Sequence, residues 1–352
     1  MIKSEAFARI CFFGDHQDYL NLPVISGTID RKITLTATPN SEDKYILQLL
    51  DLDSVIVINI NENFNNIEVE DYFRSSLSIL QQAGLVFEQG YTVEITGNIP
   101  VNAGVSSSSA LVVAWIRFLV QAQKTPVPVS STQIGQWAYA AEVGFFNHPG
   151  GLMDQYTIAQ EGLLYIDTQT GSTSRMKSHL GQLVVAESGI AKETLTVLHN
   201  AREYGQKAIE AVQQVNPNFE LHTAEPKDYA LYLDKVPKVY QRHWYAAIHN
   251  YDLTLKAMNA LRSASTDLFQ IGKWMNEHQH ILQDYIQNTP KSMALQMEAT
   301  RNAGALGAKI IGSGGGGCML AMVTEKTKQK VIDAFLSNGA VAAYEIQLTS
   351  PL

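Results

Sequence analysis

The sequence predicts an α+β protein built in two lobes, on three observations. Strand-like segments gather in the first half and helix-like segments in the second. The chain has 352 residues, more than the ~250–300 that one hydrophobic core usually serves. Hydrophobic residues make up 45% and charged residues 17%, the balance of a packed globular chain rather than a disordered one. The change from strands to helices puts the boundary near residues 170–185, giving expected lobes of 1–175 and 176–352.

From the start, 6–13 is mostly apolar and β-prone, and 32–37, 54–60 and 91–96 alternate, so strands are expected there. Between the last two, 71–83 has helical spacing and stops at Gly84. Residues 107–123 read as a long apolar helix, broken by Pro126 and Pro128. Ser131 or Thr132 caps a further helix reaching about Phe146, and a short one, 153–160, follows Pro149, Gly150 and Gly151. Strands are expected at 163–167 and 182–186. From 192 to 302 the pattern is helical, cut by Pro217, Pro226 and Pro290 and closed by Gly304 and Gly307. A glycine-rich turn at 308–317 leads to a strand at 318–323, a helix at 325–336 and a last strand at 342–348.

Composition narrows the function classes. Lys and Arg total 26 against 34 Asp and Glu, a net charge of −8, so a predominantly nucleic-acid-binding surface is not expected. Two cysteines, Cys11 and Cys318, make no disulfide framework, and a reducing cytoplasm fits. The first eight residues carry Lys3 and Glu5 but no apolar signal segment. No run approaches ~18 uninterrupted apolar residues, so no membrane span is expected.

Residues 104–110 carry the most local information. Four consecutive serines, Ser106 to Ser109, stand between a glycine and an apolar helix. At a helix N-terminus the backbone N–H groups and the positive dipole end favour an anion, and small side chains let a phosphate approach. The hydroxyls add donors or magnesium ligands; the alternative is a serine-capped helix with a flexible entry. The common P-loop pattern is absent. Residues 312–317 formally match G-x-G-x-x-G but precede a strand instead of opening a helix, so they read as a backbone loop against a ligand, or as a tight turn.

Four acidic residues, in three places, complete the list. Residues 9–19 run Arg-Ile-Cys-Phe-Phe-Gly-Asp-His-Gln-Asp-Tyr, placing Asp15, His16 and Asp18 together. Such a cluster grips the hydroxyls of a polyol, or merely forms a polar turn. Glu142 sits on an otherwise apolar helix, where an unpaired carboxylate is costly and a magnesium ion would offset the cost. Asp154 follows a Gly-Gly turn and starts a helix, as a functional carboxylate or an N-terminal helix acid.

These segments, in this order, resemble the GHMP small-molecule kinases, named for galactokinase, homoserine kinase, mevalonate kinase and phosphomevalonate kinase. Residues 9–19 are similar to the galactokinase segment Arg-x-Asn-x-x-Gly-Glu-His-Thr-Asp-Tyr. Residues 100–110 are similar to the Pro-x-x-x-Gly-Leu-Ser-Ser-Ser-Ala loop, and 304–318 to the C-terminal glycine motif. The resemblance spans about residues 6–323 and is weak between about 190 and 285. It implies an S5-type N-terminal lobe and a ferredoxin-like C-terminal lobe with ATP and a small substrate between them.

Within the family the sugar-kinase branch fits best. Residues 150–155, Gly-Gly-Leu-Met-Asp-Gln, are similar to the galactokinase Cys-Gly-Ile-Met-Asp-Gln, which implies Asp154 as catalytic base and Arg9 beside it. The family's magnesium-binding Glu lies twelve residues earlier, here Glu142, and its other magnesium ligand falls on Ser108. The resemblance further implies nucleotide contacts at Gly104, Val105, Ser106, Ser107, Ser108, Ser109, Gly314 and Gly315. It implies monosaccharide contacts at Asp15, His16, Asp18 and Gly151, with ATP and Mg2+ as cofactors. Asp15 stands where galactokinases have Glu, and Gln17 replaces Thr. Pro149-Gly-Gly replaces Cys-Gly in a pattern also similar to bacterial heptose and fucose kinases. The expected activity is phosphorylation of a sugar hydroxyl, the anomeric one of galactose or a related monosaccharide. The alternatives are a heptose- or fucose-type kinase, a kinase for a non-sugar alcohol, and a catalytically inactive sugar sensor of the same fold.

Other residues get a plainer reading. Trp137, Tyr139, Met258, Met275 and Cys11 are expected in the core and His278 and His280 on a helix surface; Cys318 lies where a nucleotide could approach but has no base beside it, and Lys192 sits on a loop for which sugar contact is the less favoured reading. Nothing in the sequence indicates an oligomeric state.

Overall fold

The computed structural model describes residues 1–64, 66–100, 104–177, 180–191, 194–263 and 265–350. Its first lobe is built on a seven-stranded sheet. The strands are β1 (Ile2–Phe13), β2 (Val24–Pro39), β3 (Lys44–Leu49), β4 (Ser54–Asn59), β5 (Tyr91–Gly97), β6 (Leu163–Asp167) and β7 (Ser172–Arg175). They lie in the order β4-β3-β5-β2-β6-β7, with β1 antiparallel to the long β2. Four helices accompany them: α1 (Tyr72–Gln82), α2 (Ser107–Gln121), α3 (Ser131–Tyr139) and α4 (Met153–Gln160). α2 is apolar nearly all round because it is enclosed: Val112, Trp115, Ile116 and Phe118 are all buried, and the Trp115 indole N–H donates to the Phe73 carbonyl.

The second lobe carries β8 (Gln182–Glu187), β9 (Gly307–Ile310), β10 (Cys318–Val323) and β11 (Ala342–Ile346) in the antiparallel order β11-β8-β10-β9. That order, with α10 (Lys328–Ser337) between β10 and β11, is the split βαβ arrangement of a ferredoxin-like sheet. Between β8 and β9 run α5 (Thr194–Val215), α6 (Pro226–Tyr232), α7 (Gln241–Arg262), α8 (Leu268–Ile281) and α9 (Lys291–Asn302). β10 reads Cys-Met-Leu-Ala-Met-Val without alternation because both its faces are buried. Met319 and Ala321 join the core under α9 and α10, while Leu320 and Met322 join the core shared with the first lobe. No helix among the described residues is long and apolar enough to cross a membrane.

Most expected elements are present, and the differences have physical causes. The expected turn at 308–317 begins inside β9, and Gly307 opens that strand instead of closing a helix. The helix expected to reach Phe146 ends at Tyr139 and widens into a π-turn over Ala140–Gly144. The strands β3, Lys-Tyr-Ile-Leu-Gln-Leu with Tyr45 and Leu47 buried, and β7, the polar Ser-Thr-Ser-Arg, lie outside the expected set; β7 is a strand by pairing rather than by apolar pattern. His278 is not on a helix surface but 1% exposed, stacked on Phe13 with ring centroids 5.9 Å apart. His280 is exposed, as expected.

Candidate functional site

A cavity of about 350 Å³ opens where the loop after β1, the N-terminus of α2, the π-turn and the start of α4 converge. At its centre Asp154, on the first turn of α4, meets Arg9 from β1. Arg9 Nε donates to Oδ1 and Nη2 to Oδ2, both at 2.6 Å, while Nη1 donates to the Gly104 carbonyl at 2.9 Å. Burial opposes the guanidinium charge, but the Asp154 carboxylate outweighs it and holds Arg9 protonated. This two-pronged contact fixes the plane of the carboxylate.

The serine loop stands beside it. Ser106 takes a left-handed conformation, φ +62°, and its hydroxyl donates to Asp154 Oδ2. That hydroxyl therefore does not cap α2, whose first-turn N–H groups face an end bordered by Ser107, Ser108 and Ser109. Val105 is buried behind the loop, its carbonyl accepting the Arg9 backbone N–H.

Glu142 projects from the π-turn and is buried. Burial pushes its carboxyl up, partly countered by hydrogen bonds from Gln155, Ser109 and Ser108. Gln155 Nε2 donates to Glu142 Oε2 at 2.7 Å, and Gln155 Oε1 is buried with no hydrogen-bond partner. Among the described residues no group of three or more His, Cys, Asp or Glu could hold a metal ion. A carboxylate and a serine hydroxyl alone still suit Mg2+, which keeps waters and phosphate oxygens in most of its shell. Glu142 and Ser108 fit that role.

The loop after β1 supplies the other wall. Gly14, φ +95°, turns the chain under the Pro23 carbonyl, and His16 is also left-handed, φ +63°. His16 Nδ1 lies 3.0 Å from the Tyr19 hydroxyl and Nε2 2.9 Å from the Ser313 carbonyl. Asp18 packs against Gly151, where a Cβ would come within 2.2 Å of its Oδ2, so any larger residue would push the Asp18 side chain aside. Burial first, then the Asp154 charge, pushes the Asp18 carboxyl up to about 7.

Arg9, Asp15, His16, Asp18, Gly104 and the serines thus meet at one cavity with Glu142, Gly151 and Asp154. Gly314 and Gly315 do not line it; they pack on Asn288, whose carbonyl accepts the Gly315 N–H at 2.7 Å. Cys318 and Cys11 are both buried thiols. Lys192, like residues 101–103 of the serine-loop motif, lies outside the described residues. Sequence reasoning missed Gln155, Lys309 and Asn288 as well as Glu70, Tyr72 and His148 at the cavity wall. The one available signal was Lys309, a single cation inside the apolar stretch 308–311.

Comparison with known proteins gives consistent matches. The family model described as GHMP kinases N terminal domain matches residues 71–162, and the one described as GHMP kinases C terminal matches 256–341. A mevalonate kinase of Thermococcus sibiricus is 27% identical, over 96% of this chain and 94% of its own length. A galactokinase of Streptococcus mutans is also 27% identical, over 90% and 83%. In fold, the chain superposes on Lactococcus lactis galactokinase complexed with galactose with a TM-score of 0.87 at 20% identity, covering 99% of this chain and 94% of that one.

Proposed function

The chain belongs to the GHMP kinases, and from that premise we propose that it transfers the γ-phosphoryl group of ATP to a monosaccharide hydroxyl. The acceptor we propose is the anomeric hydroxyl of galactose or a related sugar. One observation carries the reading: Asp154, clamped by Arg9, stands between a serine-rich helix N-terminus and the acid-imidazole wall of His16 and Asp18. One side suits a polyphosphate and the other a polyol.

In this mechanism the backbone N–H groups of Ser107 to Ser109 bind nucleotide phosphate oxygens at the positive end of α2. Mg2+, held by Ser108 and Glu142, would supply charge neutralisation at the phosphates. Asp154 accepts the proton of the attacking hydroxyl or orients that hydroxyl in line. Arg9 fixes the carboxylate and balances charge on the transferring phosphoryl. Asp18 holds a further sugar hydroxyl, turning binding energy into alignment, while His16, fixed by Tyr19 and Ser313, shapes the wall beside it.

A hydroxy acid such as mevalonate is the second reading, because several relatives carry that activity in their names. The lining argues against it. Asp15, Asp18, Glu70, Glu142 and Asp154 border the cavity, and Arg9 is the only Lys or Arg among its described lining residues. Both Asp154 oxygens engage that arginine, so a substrate carboxylate would meet uncompensated acids. An inactive sensor would not need an intact Arg9–Asp154 clamp. The test is ATP-dependent transfer over a panel of monosaccharides with mevalonate alongside, and NMR of the product. Phosphate appearing on mevalonate and on no sugar would overturn the proposal.

A further inference from the structure

The aspartate that sequence comparison aligns with a sugar ligand is not available as one. Although Asp15 borders the cavity, its side chain is only 1% exposed. Its Oδ2 accepts from Lys309 Nζ at 2.8 Å and its Oδ1 from the Gly312 N–H at 3.2 Å. Lys309, on β9 of the second lobe, is fully buried, and its other two donors go to the Cys11 carbonyl at 3.0 Å and the Ile310 carbonyl at 2.7 Å. His278 closes the far side, with Nε2 3.8 Å from Asp15 Oδ2. All three ammonium hydrogens are therefore satisfied, and the Asp15 carboxylate is the counter-charge in this buried place. Burial and Lys309 drive His278 down to about 3, so beside the lysine it is neutral and adds no second cation.

We propose that Lys309 is a positioning residue: it holds Asp15 as a buried counter-ion, and this pair, joining the two lobes, sets the loop that presents Asp18 to the sugar. Hydroxyl recognition then belongs to Asp18, because both His16 ring nitrogens are already met by the Tyr19 hydroxyl and the Ser313 carbonyl, and Asp15 serves as the anchor of the loop. The loop needs one. His16 has positive φ, a conformation that a non-glycine residue keeps only where the surroundings enforce it. The inference rests on the reading that the cavity takes a sugar.

A double-mutant cycle separates anchor from ligand. Lys309→Met leaves a buried carboxylate unpaired, and the sugar KM should rise by roughly tenfold or more while the ATP KM changes little. Lys309→Met combined with Asp15→Asn removes both charges and keeps an acceptor for the Gly312 N–H. The pair should recover a sugar KM near the wild-type value. A direct ligand at Asp15 predicts the reverse: the double variant stays as poor as Asp15→Asn alone, which would overturn the proposal. D-galactose is the first probe, replaced by a better acceptor if the panel finds one. If no sugar accepts phosphate, the functional reading fails, and the anchor is read instead from amide exchange of residues 14–19. Exchange should be fast in Lys309→Met and slowed again in the double variant; unchanged exchange in Lys309→Met overturns the anchor. If the variants do not fold, carboxyl-13C aspartate spectra of the wild type decide. On adding sugar the Asp18 signal should move and the Asp15 signal stay; movement of Asp15 equal to that of Asp18 would overturn the assignment.

Discussion

Asp154 admits two readings from sequence, a functional carboxylate or a helix-terminal acid, and the geometry separates them. The N-cap of α4 is Leu152, with no side-chain capping bond, and the Asp154 oxygens point to Arg9 and Ser106. Asp154→Asn therefore leaves α4 intact and breaks one half of the charge pair. We expect kcat to fall by ~10²–10⁴-fold, the usual contribution of a general base, with sugar and ATP affinities changed far less. Near-normal turnover in the folded variant would remove the proton-accepting role. Asp18 gives a second expectation, one of pH. Its carboxyl titrates near 3.8 when unfolded and about 7 when folded, raised by burial and by Asp154. Between those values the native state binds more protons than the unfolded one, so stability falls as pH rises from ~4 to ~7 and this contribution is level above. Asp18→Asn lacks that loss. Its melting temperature relative to wild type, without ligands, should climb across the same window; a constant difference would show that Asp18 ionises normally. At this scale the sequence was informative where partners lie close along the chain, as Glu142 and Asp154 do. It marked Lys309 only as a lone cation in an apolar stretch and put His278 on a surface, because their partner Asp15 comes from the other lobe, 294 positions from Lys309.

Elements show the same division between local pattern and distant pairing. α2 and β10 were readable because their composition follows from burial on nearly every side. β9 was read as part of a glycine turn, since Gly-Ala-Lys-Ile has strand character only when β10 lies beside it. The π-turn was equally hidden: helical periodicity does not announce an extra residue, yet the widening at Ala140–Gly144 is what carries Glu142. The Ala141 carbonyl there is met by the buried Ser75 hydroxyl of α1, at 2.8 Å. β4 raises a different problem. It is an edge strand with Val55 61% and Val57 49% exposed, a template for pairing with another chain. Two contacts close that edge: Arg74 Nη2 donates to the Val57 carbonyl at 3.1 Å, and Glu62 accepts the Asn59 N–H at 3.2 Å. Arg74 also pairs with Glu62 and with Asp71, which fixes the clip to the start of α1. Arg74→Ala should open the edge. Sedimentation velocity over a concentration series should then show more self-association than wild type, with catalytic rate at low concentration preserved. Identical sedimentation at every concentration would mean that the clip guards nothing.

For the whole molecule, charge is the quantity that the fold concentrates. The chain carries −8 overall, and five acids border the cavity; Lys309 offsets Asp15 and Arg9 offsets Asp154, which leaves Asp18, Glu70 and Glu142 with no Lys or Arg of their own among its described lining residues. ATP brings a further polyanion into that space. The N-terminus of α2 offers only a fractional positive charge, roughly half a unit, so backbone donors alone do not offset this repulsion. A divalent cation does, if Glu142 and Ser108 hold it where the serine hydroxyls and the phosphates meet. The expected signature is a large difference between ATP with and without metal. With Mg2+ present, nucleotide at about 100 times its Kd should stabilise the fold by about 2.7 kcal/mol, seen as a rise in melting temperature. With EDTA in place of the metal the rise should shrink sharply. Added salt, which shortens the screening length to ~10 Å at 0.1 M, should narrow the gap by weakening the repulsion. Glu142→Ala separates metal holding from simple charge relief. It deletes one repelling acid, so ATP alone should bind no worse than to wild type, yet the benefit of Mg2+ should fall. If the thermal shift by ATP is the same with Mg2+ and with EDTA, in wild type and in Glu142→Ala, the acids of this cavity do not govern nucleotide binding and Glu142 is not a metal ligand.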